Sequence, residues 1–283
     1  MAAFPCQPLD HAHHADPGWR HFAADPTMNT VATLDTAVAA ARRIFGLEGK
    51  TVLVTGASKG IGQEVARQCA ASGAQLVIAG RDAARLQETL DSLQGTGHRA
   101  LAAELTDVAA RKQFAADCGP LDGVVHSAGI RGLAPMKMVS DAFLAQVMET
   151  NYVAPMMLTR HLLAKGQIRP GGSLVFLSSI AALTGTVGVG PYAGSKAALV
   201  GTLRPLALEL AKRGIRANAL CPGLVETTLI TEDKDWFEES RKRYPLGIGL
   251  PADVAQACLY FLSGASTKVT GAIFSMDGGV EFV

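Results

Sequence analysis

The chain has 283 residues, of which 48% are hydrophobic and 18% charged, with a formal net charge of +1. That balance suits a chain that buries a large core and excludes both a disordered polyelectrolyte and a nucleic-acid binder built on a basic surface. No apolar run reaches the roughly 18 residues of a membrane span, and the N-terminus lacks the basic-then-apolar order of an export signal.

Cys6, Cys69, Cys118, Cys221 and Cys258 are scattered without CxxC pairs. This spacing argues against a zinc site and a disulfide framework, so reduced thiols, a cytoplasmic location and no metal are expected. Residues 1–28 are rich in Pro, Asp and His, including His11, His13, His14 and His21, and have no apolar period. They read as a mobile tail, and Met28 is a candidate natural start. The histidines have no Cys or paired carboxylate to complete a ligand set. From Val31 to Phe45 an Ala-rich pattern predicts an amphipathic helix that packs before the main domain, giving segments 1–28, 29–47 and 48–283.

Thr51-Val52-Leu53-Val54 is a short apolar run of the kind that forms a central parallel strand. It leads into Thr55-Gly56-Ala57-Ser58-Lys59-Gly60-Ile61-Gly62. Glycines at 56, 60 and 62 allow a tight strand-to-helix turn and close approach to a pyrophosphate, with the amides of the next helix facing the phosphates. The second strand, Leu76 to Ala79, is followed by Gly80-Arg81-Asp82, about 20 residues past the loop, where the adenosine ribose of a dinucleotide lies. An acid there suits NAD, whereas arginine pairs with the 2′-phosphate of NADP. Gly80 takes the acid's place and Lys59 adds a second cation, so NADP is the expected cofactor. Asp82 reads as the N-cap of a helix from Ala83 to Leu93; if it binds ribose instead, NAD returns.

A third strand, Arg99 to Leu105, ends at Thr106-Asp107, where Asp107 either accepts from the adenine amine or caps a helix. The fourth, Gly123 to His126, runs into Ser127-Ala128-Gly129, small residues that let backbone approach a cofactor. His126 reads as structural or cofactor-lining. A helix from Ser140 to about Arg160 carries Asn151 on an apolar face, a poor helix-interior residue that needs either a backbone bond at a bend or a water contact. The fifth strand, Ser173 to Leu177, delivers Ser178 and Ser179 to its carboxyl end, where ligands gather in open α/β sheets. After a glycine-rich loop come Tyr192 and Lys196, four apart and on one helical face. A tyrosine titrates near pH 10, so ionising it at pH 7 takes a shift of roughly 3 units, about 4 kcal/mol, which a close cation is expected to supply.

The sixth strand, Ile215 to Leu220, ends in Cys221-Pro222-Gly223, and the hydroxyls beyond it, including Thr227, are placed to meet a nicotinamide amide. Residues 226–250, with Trp236, Phe237 and Tyr244, read as a mobile substrate lid. A helix from Pro251 to Leu262 and a strand from Ile273 to Met276 complete the sheet.

Together these residues resemble the short-chain dehydrogenase/reductase family over about residues 48–283, through the loop Thr55 to Gly62, Ser127-Ala128-Gly129, Asn151, Ser179, Tyr192 with Lys196, and Pro222-Gly223 followed by Thr227. The family's usual Asn-Asn-Ala-Gly stands here as His126-Ser127-Ala128-Gly129. The general likeness is to 3-oxoacyl carrier-protein reductases, through Thr-Gly-Ala-Ser-Lys-Gly-Ile-Gly and Asp277-Gly278-Gly279. The resemblance implies a single-domain α/β fold, a Rossmann-like doubly wound parallel sheet of about seven strands with helices on both faces. It also implies NADP-dependent, or alternatively NAD-dependent, hydride transfer to a carbonyl or from a secondary alcohol. Tyr192 would be acid or base, Lys196 would lower its pKa, Ser179 would hold the substrate oxygen and Asn151 a water. Gly56, Ser58, Lys59, Gly60, Ile61, Gly62, Arg81, Asp107, Ser127, Ala128, Gly129, Pro222, Gly223 and Thr227 would line the cofactor. The family also implies a homotetramer or homodimer. A carrier-linked substrate would call for basic docking residues, with Lys212 and Arg213 as candidates. The rival reading is a nucleotide-binding regulatory or scaffold protein without redox chemistry.

Overall fold

Alternation along the strands decides how the chain folds. In the computed structural model, which describes residues 30–227 and 234–280, β1 spans Thr51–Thr55 and β2 spans Gln75–Gly80. Val52 and Val54 of β1 and Leu76 and Ile78 of β2 enter one core cluster, whereas Leu53 and Val77 enter another. Successive strand side chains point to opposite faces, so a strand that is apolar throughout must be covered on both.

The first face is covered by α2 (Gly60–Ala71), which contributes Val65, Ala66 and Cys69, and by α9 (Pro251–Leu262), which contributes Val254, Cys258 and Phe261. The second face is covered by α4 (Val108–Asp117), α6 (Ala154–Ala164) and α7 (Gly190–Ala211) through Phe114, Leu158, Leu162, Leu199, Leu203 and Leu210. The remaining strands are β3 (Arg99–Ala102), β4 (Leu121–His126), β5 (Ile168–Leu177), β6 (Arg216–Pro222) and β7 (Ile273–Met276). All seven pair in parallel in the order β3-β2-β1-β4-β5-β6-β7. This is the expected doubly wound sheet, and the order reverses between β1 and β4. Loops diverge there at the carboxyl ends of the strands, leaving a crevice for a ligand.

Met1–Ala40 and Ala41–Val283 form two separate units, and the sheet lies wholly in the second. The predicted tail, with its histidines, lies outside the described residues, as do residues 228–233 of the expected lid. Among the described residues no helix is long and apolar enough to cross a membrane, and no cluster of His, Cys, Asp and Glu is arranged to hold a metal.

The predicted continuous helix from Ser140 to Arg160 is interrupted. Between α5 (Asp141–Met148) and α6, Glu149–Val153 form a π-helical turn that contains Asn151. The third strand stops at Ala102 rather than Leu105, because Glu104 turns to bond Thr106.

The outermost strand is held by a buried amide. Asn218 of β6 accepts from the Ala272 amide and donates to the Val269 carbonyl, both at 3.0 Å, and is fully buried. Replacing it in Asn218→Ala leaves two backbone groups without their partner, at about 3 kcal/mol. A fall in denaturant midpoint of that size is expected, with faster amide exchange concentrated in Ile273–Met276.

Candidate active site

The crevice at the switch point opens into a cavity of about 310 Å³. Its floor is the loop between β1 and α2. The Thr55 hydroxyl accepts from the amides of Ser127 and Ala128, both at 3.2 Å, which ties the loop after β4 to the end of β1. Gly56 has φ +69°, and a Cβ there would stand 2.8 Å from the Ala128 backbone; at Gly62 it would stand 2.3 Å from the Gly56 carbonyl oxygen. Only glycine fits at these two points of approach. α2 begins at Gly60 with Lys59 as its N-cap and no side-chain cap bond, so its first amides face the cavity without a side-chain acceptor. A dinucleotide pyrophosphate fits this cradle, since helix N-terminal amides and the helix dipole favour an anion. Gly56, Ser58, Lys59, Gly60, Ile61, Gly62, Arg81, Ser127, Ala128, Gly129, Pro222, Gly223 and Thr227 all line the cavity, as the sequence leads one to expect.

Asp107 does not. Its carboxylate caps α4, accepting from the Ala110 amide at 2.7 Å, and the cavity wall is made instead by Glu104, Leu105 and Thr106. The sequence left both roles open for Asp107, and the cap prevails because four unpaired amides follow it directly. Glu104 escaped notice because the third strand was expected to run through it. Asp82 caps α3 (Ala83–Asp91), accepting from Arg85 at 3.1 Å. Lys212 and Arg213 sit away from the site: Arg213 donates to the carbonyl of Ile168, at the amino end of β5, opposite the cavity.

The four candidate catalytic residues meet where β5 ends. Lys196 is buried on α7, and its ammonium donates to the Leu177 carbonyl at 2.7 Å, 5.8 Å from the centroid of the Tyr192 ring. The Ser178 hydroxyl donates to the Lys196 carbonyl at 2.9 Å, a second staple between β5 and α7. Tyr192 is half-buried, with Ser179 close enough to act on its phenol, and the Ser179 hydroxyl accepts from the Ala181 amide at 3.2 Å. Asn151, in its π-turn, accepts from the Ile130 amide at 2.8 Å and donates to the Ile130 carbonyl and to the Ser195 hydroxyl, both at 3.0 Å. Ser195 in turn donates to the Tyr192 carbonyl at 2.7 Å. A chain of bonds thus runs from the loop after β4 through the π-turn to the helix carrying Tyr192. A Cβ at Gly129 would stand 3.2 Å from Asn151 Oδ1 and 3.5 Å from Lys196 Nζ, so the backbone there passes close to both side chains.

Burial dominates the electrostatics of both groups. It raises the Tyr192 phenol above its ordinary value, while Ser179 and the charge of Arg131 pull it back down. It lowers the Lys196 ammonium to about 8. Desolvation penalises both charged forms, and the ammonium spends a proton on the Leu177 carbonyl. Arg131, two residues past Gly129, lines the cavity and was missed; its only signal was a cation directly after the small-residue turn.

His126 is packed in the core and also lines the cavity, so both roles left open by the sequence are compatible with its place. It stacks on Phe176 with ring centroids 4.8 Å apart, and its Nε2 lies 2.8 Å from the Thr159 hydroxyl. That hydroxyl gives its proton to Pro155, so the histidine donates through Nε2, and burial holds its pKa down at about 3.

Comparison with known proteins agrees with this geometry. A family model described as enoyl-(acyl carrier protein) reductase matches residues 56–281. The chain is 37% identical over 254 residues to a galactitol 2-dehydrogenase (L-tagatose-forming) of Cereibacter sphaeroides, covering 84% of this chain and 97% of the relative. It is 31% identical over 243 residues to a 3-oxoacyl-(acyl-carrier-protein) reductase of Rickettsia bellii, covering 85% and 100%. A crystal structure from Agrobacterium tumefaciens, described as a 2-deoxy-D-gluconate 3-dehydrogenase with bound NADP, superposes with a TM-score of 0.76 at 34% identity, covering 84% and 99%. The fold and the cavity define a nicotinamide-dependent oxidoreductase. The chain belongs to the short-chain dehydrogenase/reductase family.

Burial of Lys196 has a measurable linkage. The lysine titrates near 10.5 when unfolded and about 8 when native, so between these values the unfolded chain binds more protons and this group's contribution to stability rises with pH. Its penalty, about 3 kcal/mol, is full below pH 8 and gone above 10.5. The stability of Lys196→Met relative to wild type is therefore expected to be highest near pH 7 and to decline toward pH 10.5, as followed by denaturant melts across that range.

Proposed function

We propose that this protein is an NADP-dependent oxidoreductase that interconverts a carbonyl compound and its secondary alcohol, with Tyr192 as general acid in reduction and general base in oxidation. The observation that carries this reading is the meeting of Tyr192, Ser179 and Lys196 on one wall of the cavity whose floor is the glycine cradle. A bound nicotinamide supplies the hydride. Everything else falls to the chain's own side chains.

Ser179 receives the substrate oxygen with its hydroxyl and aligns it with the neighbouring Tyr192 phenol. The phenol, kept protonated by burial, hands its proton to that oxygen as negative charge develops. The Lys196 ammonium lies close enough to stabilise the phenolate that remains, since a cation gains most from a new anion in a desolvated site. The proton returns from solvent by way of a water that Asn151 would hold near Lys196. In oxidation the same path runs backwards.

Preference for NADP rests on Arg81 and Lys59 at the adenosine end of the cavity and on Gly80 where an acid would serve NAD. NAD is the second cofactor. The substrate is a free or carrier-linked small molecule, the assembly a homotetramer or homodimer, and the compartment the cytoplasm. The last of these rests on the buried thiols of Cys69, Cys118 and Cys258, none of them in a disulfide.

Tyr192→Phe removes only the phenolic oxygen. It is expected to lower turnover at least about a thousandfold, the upper part of the range for one general acid–base group, while the dissociation constant for NADPH stays within about twofold. Retention of turnover in this variant would assign the proton to another group.

A further inference from the structure

Arg131 stands where the loop after β4 meets the catalytic wall. The residue before it, Ile130, is held by the Asn151 side chain at both its amide, at 2.8 Å, and its carbonyl, at 3.0 Å. The residue after it, Gly132, is buried, and a Cβ there would stand 2.7 Å from Val147 of α5 and 3.4 Å from the Tyr192 amide nitrogen. The backbone on both sides of Arg131 is therefore fixed against the start of α7. Arg131 itself is exposed and lines the cavity, as do Ile130, Ser179 and Tyr192. Burial raises the Tyr192 phenol, and Ser179 and the Arg131 charge lower it, so the guanidinium lies within electrostatic reach of that phenol.

Among the described residues that line the cavity, the other Lys and Arg residues are Lys59 and Arg81, on the loops after β1 and β2, and Lys196, whose ammonium donates to Leu177. The carboxylate among them is Glu104, 3.6 Å from Arg81 and so away from Ser179 and Tyr192. A negative group arriving at the catalytic wall meets Arg131 there and, among these residues, no carboxylate that opposes it.

We propose that the carbonyl substrate carries a carboxylate and that Arg131 binds it, which selects a keto acid over a neutral ketone. This rests on the oxidoreductase reading above and names the substrate class of that site. The guanidinium fork matches the two oxygens of a carboxylate, and one cation suits one negative charge better than the two of a phosphate. Because Ile130 and Gly132 are already held, little backbone freedom is lost when the pair forms. The exposure of Arg131 keeps the pair in contact with water, so the selection is graded and weakens as salt is raised.

The test is steady-state reduction by the purified full chain with NADPH, using keto acids of increasing spacing between ketone and carboxylate, each measured beside its methyl ester. Wild type is expected to reduce at least one acid with a kcat/KM about tenfold above that of its ester, the advantage lying in KM and shrinking with salt. Arg131→Gln is expected to lower the acid-to-ester ratio about tenfold, to near parity, as for one charge-assisted hydrogen bond in a partly solvated site. Arg131→Lys keeps the charge without the fork and should recover part of the ratio. Acid and ester meet the same enzyme, so the ratio cancels any effect of either variant on folding or on the Tyr192 phenol. Esters reduced by wild type as well as the acids, or an equal loss of both in Arg131→Gln, overturn the assignment and leave the oxidoreductase reading intact. No turnover of any acid also overturns it, and turnover of neutral ketones then decides the oxidoreductase reading separately.

Discussion

The interaction on which the site depends is the burial of the Lys196 ammonium against the carbonyl that ends β5. A cation removed from water must find acceptors, and here Leu177 supplies one at 2.7 Å while Ser178 bonds back to the Lys196 carbonyl. The two bonds lock α7 to the carboxyl end of β5. Tyr192, one helical turn earlier, is thereby set beside Ser179 on the same strand end. Burial lowers the lysine and raises the tyrosine, so the phenol is held in its protonated form, as the proposed proton donor must be. The site is preorganised for the state in which a phenolate forms, when the ammonium opposite it gains most.

A second constraint comes from the sheet. The reversal between β1 and β4 parts the loops on either side, and Thr55 then draws the loop after β4 onto the glycine cradle through two amides. Asn151 ties that same loop, at Ile130, to the helix bearing Tyr192. Cofactor cradle and proton donor are thus fixed to each other through one short segment. The helix opens into a π-turn at Asn151 because its side chain serves two neighbours at once, a use to which such turns are often put at functional sites.

Much of this was legible in the sequence. Apolar β-branched runs marked the central strands, glycines at 56, 60 and 62 marked the cradle, and a lone asparagine on an apolar face marked the bend. The Tyr192–Lys196 spacing marked the pairing but not how burial shifts each group. Whether a cation lowers a phenol or is itself lowered depends on what else desolvates them, here the end of β5, about 20 residues away along the chain and adjacent only in the fold. Glu104 and Arg131 were hidden for the same reason. Glu104 fell within the expected third strand and Arg131 carries no motif of its own, and only tertiary packing brings both to the cavity. Asp107 shows the converse, a residue of suitable chemistry for the cofactor that the fold commits to capping its own helix, the other role the sequence left open.

The central claim is that this buried pair performs redox proton transfer rather than only holding a nucleotide. The most direct measurement is the absorbance of reduced nicotinamide during incubation of the purified chain with NADPH or NADH and a panel of ketones, aldehydes and keto sugars, with the corresponding alcohols and oxidised cofactors run in reverse. The account predicts steady, enzyme-dependent loss of the reduced band with at least one carbonyl compound, and its reappearance with the matching alcohol. Tight binding of both dinucleotides with no turnover across the panel in either direction would contradict it and identify the chain as a nucleotide-binding protein without chemistry.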